Sequence, residues 1–337
     1  MTAPYAKPPL PHSAQDETRR VGVEVELAGM DVPSLARAVA EALEGRVRTD
    51  TVQETSAHVD TDFGSFRVEL DAAPLRDRTY LRSLRKLGIE NEGLLDGIEE
   101  SVVALASAFV PLEIVTPPIP WDRLHELNDL WDRLRQGGGL GTGAAVRYAF
   151  GLHLNPDFPS TITADAILAH LQAFFLLEDW LLREEDVDWT RRLVPFIDPF
   201  PEAYRQVCLD PSYQPSLDAL IDDYLEHSPT RNRVLDLLPL FVHLREHCLE
   251  GRDIEGADLV KPRPTFHYRL PNCELDEPGW SPARAWSNWL EVERLAVDDG
   301  RRRRMAEEYR NLSSLPFRLQ RYGWLDEVDA KWMQSPA

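Results

Sequence analysis

The stretch from Gly22 to Leu27 alternates strictly between apolar and acidic side chains, as Gly-Val-Glu-Val-Glu-Leu. A period of two predicts a β-strand with Val23, Val25 and Leu27 on one face and Glu24 and Glu26 on the other. Two residues along a strand are about 6.6 Å apart, a spacing that suits metal ions held between carboxylates. An isolated pair of this kind is more often a water-facing sheet surface, so the rest of the chain decides between the two interpretations.

Four later segments repeat this pattern, with apolar side chains on one face and ligand-type side chains on the other. They are residues 66–71 with Arg67, Glu69 and Asp71, residues 111–116 with Glu113, residues 147–155 with Gly151, His153 and Asn155, and residues 263–271 with Thr265, His267 and Arg269. Each segment is bounded by proline, glycine or turn residues. Together with the first strand they predict a sheet with one polar face.

Crowded carboxylates on one face need a cation. At an effective dielectric constant of about 20, two carboxylates about 6.6 Å apart repel each other by about 2.5 kcal/mol. Oxygen ligands joined by one or two imidazoles suit Mg²⁺ or Mn²⁺, and an arginine beside divalent metals is typical of phosphoryl transfer. The sequence therefore favours chemistry performed with ATP.

Helix-spaced apolar residues fill most of the chain between the strands. The predicted helices are a first one from Val32-Pro33 to Gly45, capped by Asp31, and further ones at 121–135, 163–183, 231–249 and 282–297. Residues 78–108 form either one long helix or two helices broken near Gly93, and residues 301–327 form another helix and a turn. The glycine run at 137–143 lacks the lysine and the spacing of a P-loop. It is either a mobile active-site flap or a plain linker. His243 and His247 have metal-ligand spacing on a helix, but surface or core histidines explain them better.

Composition limits the class of protein. The chain has 337 residues, 43% of them hydrophobic, and a formal charge of −20, which repels nucleic acids and anionic membranes. Three cysteines without C-x-x-C spacing argue against a disulfide framework and a zinc knuckle, and they fit a reducing, cytoplasmic location. No signal peptide or membrane span is visible. Residues 1–18 are predicted to be a flexible lead-in, and residues 19–330 one domain with helical insertions at about 160–260.

The order of these segments resembles the glutamine-synthetase-like carboxylate–amine ligases. The shared features are Gly-x-Glu-x-Glu near the start, an acidic strand before Pro117-Pro118, Gly-x-His after a glycine loop, and a late strand ending in Arg-x-Pro. Within that group the chain is most similar to the amidoligase family, over roughly residues 19–155 and 263–271. The resemblance implies an α+β fold whose curved, mainly antiparallel sheet is backed by helices and holds two divalent metals and ATP.

The resemblance also assigns roles to individual residues. Glu24 matches the metal ligand shared with the histidine, for which His153 is the counterpart, and Glu26 matches a ligand of the second metal. Glu69 and Glu113 match the positions that complete the metal sites or face the amine. Arg269 matches the phosphate-contacting arginine, and Arg263 and Asn155 are placed with it on the cofactor side. The implied metal ligands are Glu24, Glu26, Glu69, Glu113, His153 and His267, and the implied catalytic residues are Arg269, Glu113 and Glu69.

The sequence differs from the family pattern at two positions. Asn155 replaces the second histidine of Gly-x-His-x-His, and His267 replaces the glutamate of Glu-x-Arg. The resemblance implies phosphorylation of a carboxylate by ATP, followed by attack of an amine on the acyl phosphate. The alternatives are a phosphotransferase of the same fold, and a nucleotide- or metal-binding protein that has lost turnover. The expected partners are small-molecule or peptide acids and amines.

Overall fold

The computed structural model of the protein describes residues 4–48, 55–70, 112–141, 150–185, 187, 200–312 and 323–333. Its strands are β1 (Arg20–Leu27), β2 (Arg46–Val47), β3 (Ser56–Thr61), β4 (Gly64–Leu70), β5 (Leu112–Val115), β6 (Ile119–Pro120), β7 (Leu152–Pro156), β8 (Leu235–Asp236) and β9 (His267–Tyr268). Its α-helices are α1 (Val32–Ala42), α2 (Asn128–Gln136), α3 (Ala164–Glu184), α4 (Glu202–Cys208), α5 (Leu217–His227), α6 (Leu238–Leu244), α7 (Ala283–Val297) and α8 (Asp299–Asn311). Shorter helical turns lie at Trp121–Leu127, Ala257–Leu259 and Val328–Trp332.

The described strands form an open sheet in the order β2-β3-β4-β5-β1-β7-β9-β8, with β6 paired to β1 beside this path. Every strand pair in it is antiparallel. The predicted α+β class with a mainly antiparallel sheet is therefore confirmed. Curvature of the sheet and a glutamine-synthetase-like fold stay predictions.

The strand β1 lies inside the sheet, between β5 and β7. Its apolar residues Val21, Val23, Val25 and Leu27 are each at most 1% exposed, and burying a side chain of this size contributes about 1.5–3 kcal/mol. A slip of one residue would exchange these side chains with the carboxylates of Glu24 and Glu26. The apolar alternation therefore fixes which face carries the acids.

The helix α1 follows β1 as predicted. The side chain of Asp31 caps it by accepting a hydrogen bond from the Ser34 N–H group at 2.8 Å, and Pro33 stands in its first turn. Its main sheet contacts are with β3 and β4, and it also packs against α2. Strands β3 and β4 pair as a hairpin whose turn lies within residues 61–64.

The predicted helix at 231–249 is confirmed only over its middle part and is wrong at both ends. Leu235 and Asp236 form the strand β8, and helix α6 covers only Leu238–Leu244. The Asp236 side chain accepts a hydrogen bond from the Leu238 N–H group at 2.9 Å, and Pro239 favours a helix start at this point. Leucine spacing alone does not reveal this boundary.

Other predicted elements differ in length from those observed. Helices α3 and α7 agree with prediction to within a residue or two at each end. The predicted helix at 121–135 begins as a 3₁₀ turn and continues as α2. Of the predicted strand at 263–271, only β9 is observed as a strand, and one isolated bridge joins Asp157 to Thr265. Asp71, the helix at 78–108, residues 142–149 and most of 186–199 lie outside the described residues.

The described part of the predicted lead-in, residues 4–18, contacts the core. Tyr5 and Ala6 pack against it, and the Ala6 carbonyl accepts a hydrogen bond from Trp286 Nε1 at 2.8 Å. Among the described residues, no helix is long and apolar enough to cross a membrane. Among the described residues, Cys208, Cys248 and Cys273 are buried and form no disulfide.

A buried histidine in α3 makes stability depend on pH. His170 is packed against the rings of Phe158 and Phe266, and its Nδ1 lies 2.7 Å from the Ala166 carbonyl oxygen. Burial lowers the pKa of His170 to about 4, against 6.5 in the unfolded chain. The neutral form therefore stabilises the fold above pH 6.5, and this contribution is lost as the pH falls toward 4.

We expect the His170 contribution to fall by about 2 kcal/mol between pH 7.5 and pH 5. Urea unfolding at both pH values measures it, with His170→Phe as the variant that no longer titrates. The parent chain should lose about 2 kcal/mol more than the variant over this interval. His125→Ala, at an exposed histidine, serves as the control and should behave like the parent chain. Equal losses in the parent chain and in His170→Phe would contradict the prediction.

Candidate metal and active site

The polar residues of β1 face those of its neighbouring strands. Glu24 stands directly opposite His153 of β7, and Glu26 stands opposite Glu113 of β5. Glu113 in turn stands opposite Glu69 of β4. Directly opposed residues of an antiparallel pair project to the same side of the sheet. These five side chains therefore share one face.

The far side of β7 adds residues to the same face. Leu154 pairs with Tyr268 of β9, so His267 and Arg269 lie on the side of His153 and Asn155. His267 Nδ1 is 2.7 Å from Asn155 Oδ1, which confirms this placement by a direct contact. The structure thus brings the predicted residues of strands β1, β4, β5, β7 and β9 to one face of one sheet.

Three of these residues could hold a metal ion together. Glu24, His153 and His267 each offer a ligand atom within 4.8 Å of those of the other two. Glu24 Oε2 lies 3.2 Å from His153 Nδ1, and the two imidazole rings are 5.3 Å apart between centroids. All three residues are buried, with 3–8% exposure. This cluster is called the histidine site below.

Asn155 connects two members of the histidine site. Its Nδ2 donates to Glu24 Oε1 at 3.0 Å, while its Oδ1 contacts His267 Nδ1 at 2.7 Å. Gly22 stands opposite Asn155 in the register, and a Cβ at Gly22 would lie 3.4 Å from the Asn155 Cβ. A side chain at position 22 would thus lie in van der Waals contact with Asn155.

A second group of candidate ligands consists of the carboxylates of Glu26, Glu113 and Glu69, which form a row across β1, β5 and β4. Glu26 Oε2 accepts a hydrogen bond from the Gly151 N–H group at 2.6 Å, and its Oε1 is 3.7 Å from His153 Nε2. Glu69 accepts a hydrogen bond from Arg67 Nη1 at 2.9 Å. These three glutamates are called the acidic row below, and only oxygen ligands project from it.

Two arginines bring positive charge to the histidine site. Arg263 Nη1 donates to Glu24 Oε1 at 3.2 Å, and buried Arg269 donates from Nη1 to the Arg231 carbonyl oxygen at 3.0 Å. Burial, and then the charge of Arg231, lower the pKa of Arg269, while Asp236, Glu26 and Glu24 act in the opposite direction. Arg269 thus lies within the electrostatic influence of the carboxylates of Glu26 and Glu24.

The charge state of the histidine site follows from its burial and contacts. Burial alone would raise the pKa of Glu24, but the hydrogen bond to His153, the charges that His267 and His153 carry when protonated, and the charge of Arg263 outweigh it and hold the pKa well below its usual value. Burial lowers the pKa of His267 well below 6.5. Glu24 is therefore an anion and His267 a neutral imidazole near pH 7, which are the forms that bind metals.

Asp236 is a site residue that sequence reasoning missed. It lies directly opposite His267 in the β8–β9 pair and is 1% exposed. Burial raises its pKa to about 6, against the opposing influence of Arg269, the Leu238 N–H group and the charges of Arg231 and Arg263. The signal that could have found it is an aspartate two residues before Leu238-Pro239, which is typical of a helix start.

The described part of the glycine run is held in place. Leu140 exchanges two backbone hydrogen bonds with Ala28, just after β1, at 2.9 and 3.0 Å. A Cβ at Gly141 would come within 2.5 Å of the Cys273 carbonyl oxygen, so this position requires glycine. Residues 137–141 thus connect the end of β1 to the segment after β9. The histidines at 243 and 247 are exposed and lie in and after α6.

Comparison with known proteins gives one family. A family model described as "Putative amidoligase enzyme" matches residues 17–291, which span β1 to α7 and include every residue of the histidine site and the acidic row. No curated protein and no solved structure gave a significant match to the chain.

Proposed function

Because the chain belongs to this amidoligase family, we propose that it is an ATP-dependent ligase that joins a carboxylate to an amine through an acyl phosphate. The family match supports a ligase-type enzyme. The observation that carries the finer proposal is the arrangement of one sheet face, where the acidic row, the histidine site and two arginines lie side by side. Phosphoryl transfer needs this combination of anionic metal ligands and cations.

The donor atoms fit divalent metals. The histidine site supplies one carboxylate and two imidazoles, and the acidic row supplies three carboxylates. Mg²⁺ or Mn²⁺ suits the carboxylates of Glu26, Glu113 and Glu69. Bound there, a divalent ion supplies positive charge that offsets the charge of the ATP phosphates.

The protein's own residues would bind and orient the reactants. Arg269 and Arg263 would contact the phosphates of ATP, because guanidinium groups match phosphate oxygens in geometry and charge. One of Glu113 and Glu69 would complete the metal site, and the carboxylate of the other would face the amine and accept its proton. The buried apolar side of β1 keeps these side chains in fixed positions, so that positioning and electrostatics provide the catalysis.

An ADP-release assay tests this proposal. With ATP and Mg²⁺ or Mn²⁺, pools of carboxylic acids and amines should give ADP and phosphate only when both kinds of substrate are present. Glu26→Gln should lower the rate by about 100-fold or more, because it removes charge from the acidic row. Glu126→Gln, at an exposed residue paired with Arg123, is the matched control and should keep the parent rate.

Two other results of the assay would indicate a different function. ADP formation with the acid alone, giving a stable phosphorylated product, would identify a phosphotransferase. Tight binding of ATP without turnover over broad pools would identify a binding protein that has lost catalysis.

A further inference from the structure

We infer that the histidine site selects a nitrogen-preferring transition ion, of the class of Zn²⁺ and Co²⁺, over Mg²⁺, and that Asn155 positions His267 for it. The inference rests on the proposed function for the presence of metals on this sheet face. It adds the class of metal that this chain takes at one of two positions. The acidic row remains the place for a hard ion such as Mg²⁺.

The ligand set of the histidine site departs from what Mg²⁺ requires. Mg²⁺ prefers oxygen ligands, whereas two imidazoles and one carboxylate suit transition ions. The 3.2 Å between Glu24 Oε2 and His153 Nδ1 is the separation expected for two ligands that are each about 2.1 Å from a common ion. Arg263, 3.2 Å from Glu24 Oε1, further reduces the negative charge on which binding of a hard ion depends.

The contacts of Asn155 fix the form of His267. The carboxylate of Glu24 can only accept hydrogen bonds, so the amide nitrogen of Asn155 faces it at 3.0 Å. The amide oxygen of Asn155 therefore faces His267, and because this oxygen can only accept, Nδ1 of His267 carries the proton. The lone pair of His267 is then on Nε2, which is left as the metal ligand.

This arrangement is the usual one around a metal-bound histidine, whose second ring nitrogen donates to an oxygen acceptor. Asn155 and His267 are in direct contact with each other. They are 4% and 3% exposed, so solvent does not compete for their hydrogen bond.

Cobalt binding tests the inference without ATP, acid or amine, so its failure is separate from a failure of ADP release. The measurement uses the tag-free chain with the substitutions His243→Gln and His247→Gln. These substitutions remove the exposed pair of histidines spaced by four residues, which could otherwise bind Co²⁺. We expect this background to bind one equivalent of Co²⁺ with visible absorption bands. Zn²⁺ should displace the ion at equal concentration, while a thousandfold excess of Mg²⁺ should not.

Variants of Asn155 and His267 give the sharper test. His267→Glu should weaken Co²⁺ binding by at least tenfold and strengthen Mg²⁺ binding at the same site, because it replaces an imidazole with a carboxylate. Asn155→Ala should weaken Co²⁺ binding by about 10- to 100-fold and change the absorption bands. It should keep the Mg²⁺ affinity of the acidic row, which a general loss of structure would lower. Circular dichroism checks that each variant is folded.

Displacement of Co²⁺ by Mg²⁺ at comparable concentrations would overturn the metal assignment. Equal Co²⁺ affinity in the background and in His267→Glu would do the same. An Asn155→Ala variant with unchanged affinity and unchanged absorption bands would overturn the positioning role of Asn155.

Discussion

Replacing Glu293 with glutamine is expected to lower the free energy of unfolding by about 3–5 kcal/mol. Arg19 and Glu293 form a bidentate ion pair, with Nη1–Oε2 and Nη2–Oε1 distances of 2.8 and 2.6 Å. Their side chains are 1% and 0% exposed. The neutral amide would leave the guanidinium of Arg19 buried without its counter-charge. Urea unfolding at pH 7 measures the loss.

The size of this effect depends on burial, and an exposed pair provides the comparison. Arg123 and Glu126 also form a bidentate ion pair, but their side chains are 44% and 38% exposed. Glu126→Gln should therefore change stability by less than about 1 kcal/mol. A loss below 1 kcal/mol in Glu293→Gln as well would contradict the prediction.

A double variant separates the ion pair from the other bonds of Arg19. The guanidinium also donates to the carbonyl oxygens of Leu10 and Asp157, at 2.7–3.2 Å. Arg19→Met combined with Glu293→Gln should cost less than the sum of the two single changes, because no unpaired buried charge remains. The double variant should not recover fully, since the two carbonyl groups lose their donor.

This ion pair also bears on the site. Arg19 immediately precedes β1, which carries Glu24 and Glu26, and Glu293 lies in α7 at the other end of the chain. The Arg19–Glu293 pair therefore connects the start of strand β1 to helix α7. Its Glu293 carboxylate is held in turn by Trp289 Nε1 at 2.8 Å.

The sequence predicts well which side of the sheet each strand residue faces, because side chains alternate with a period of two residues. The alternation in β1 separates Val23 and Val25 from Glu24 and Glu26, because each step along a strand reverses the side of the sheet. The same rule assigns His153 and Asn155, and also Glu113, to their faces. The strands and the face of the candidate site could thus be predicted without knowledge of the strand order.

What the sequence does not predict are the contacts between distant segments. The Arg19–Glu293 pair joins residues 274 positions apart, and Asn155 meets His267 across 112 positions. Neither pair leaves a periodic signal. The two-residue strand β8 is missed for another reason, since leucine spacing around Asp236 fits a helix as well as a strand. The site aspartate therefore emerges only from the fold.

Neutralising Glu26 is expected to stabilise the metal-free protein and to destabilise the metal-loaded one relative to the parent chain. Glu26, Glu113 and Glu69 stand directly opposite one another on three adjacent strands, where like charges repel. Arg67 pairs with Glu69 at one end of the row. Because the Glu26 side chain is 18% exposed, solvent screens part of the repulsion. Glu26→Gln should then gain about 1 kcal/mol in EDTA.

Addition of Mg²⁺ or Mn²⁺ should reverse the order of the two proteins. An ion that binds only the folded state stabilises it by about 2.7 kcal/mol at a hundredfold excess over Kd. If Glu26→Gln binds the ion about 30-fold more weakly, the variant gains only about 0.9 kcal/mol at the same concentration. The melting curves of parent chain and variant should therefore cross during the titration, which a thermal-shift assay follows directly.

A control variant separates this local effect from the effect of total charge. The chain carries a formal charge of −20, so removal of any carboxylate relieves some general repulsion. Glu307→Gln, at an exposed position inside α8, should shift stability by no more than about 0.5 kcal/mol, with or without metal. If Glu26→Gln and Glu307→Gln instead give parallel curves that do not respond to metal, the acidic row is a solvated sheet face. The alternating stretch in β1 would then be a structural pattern without a metal.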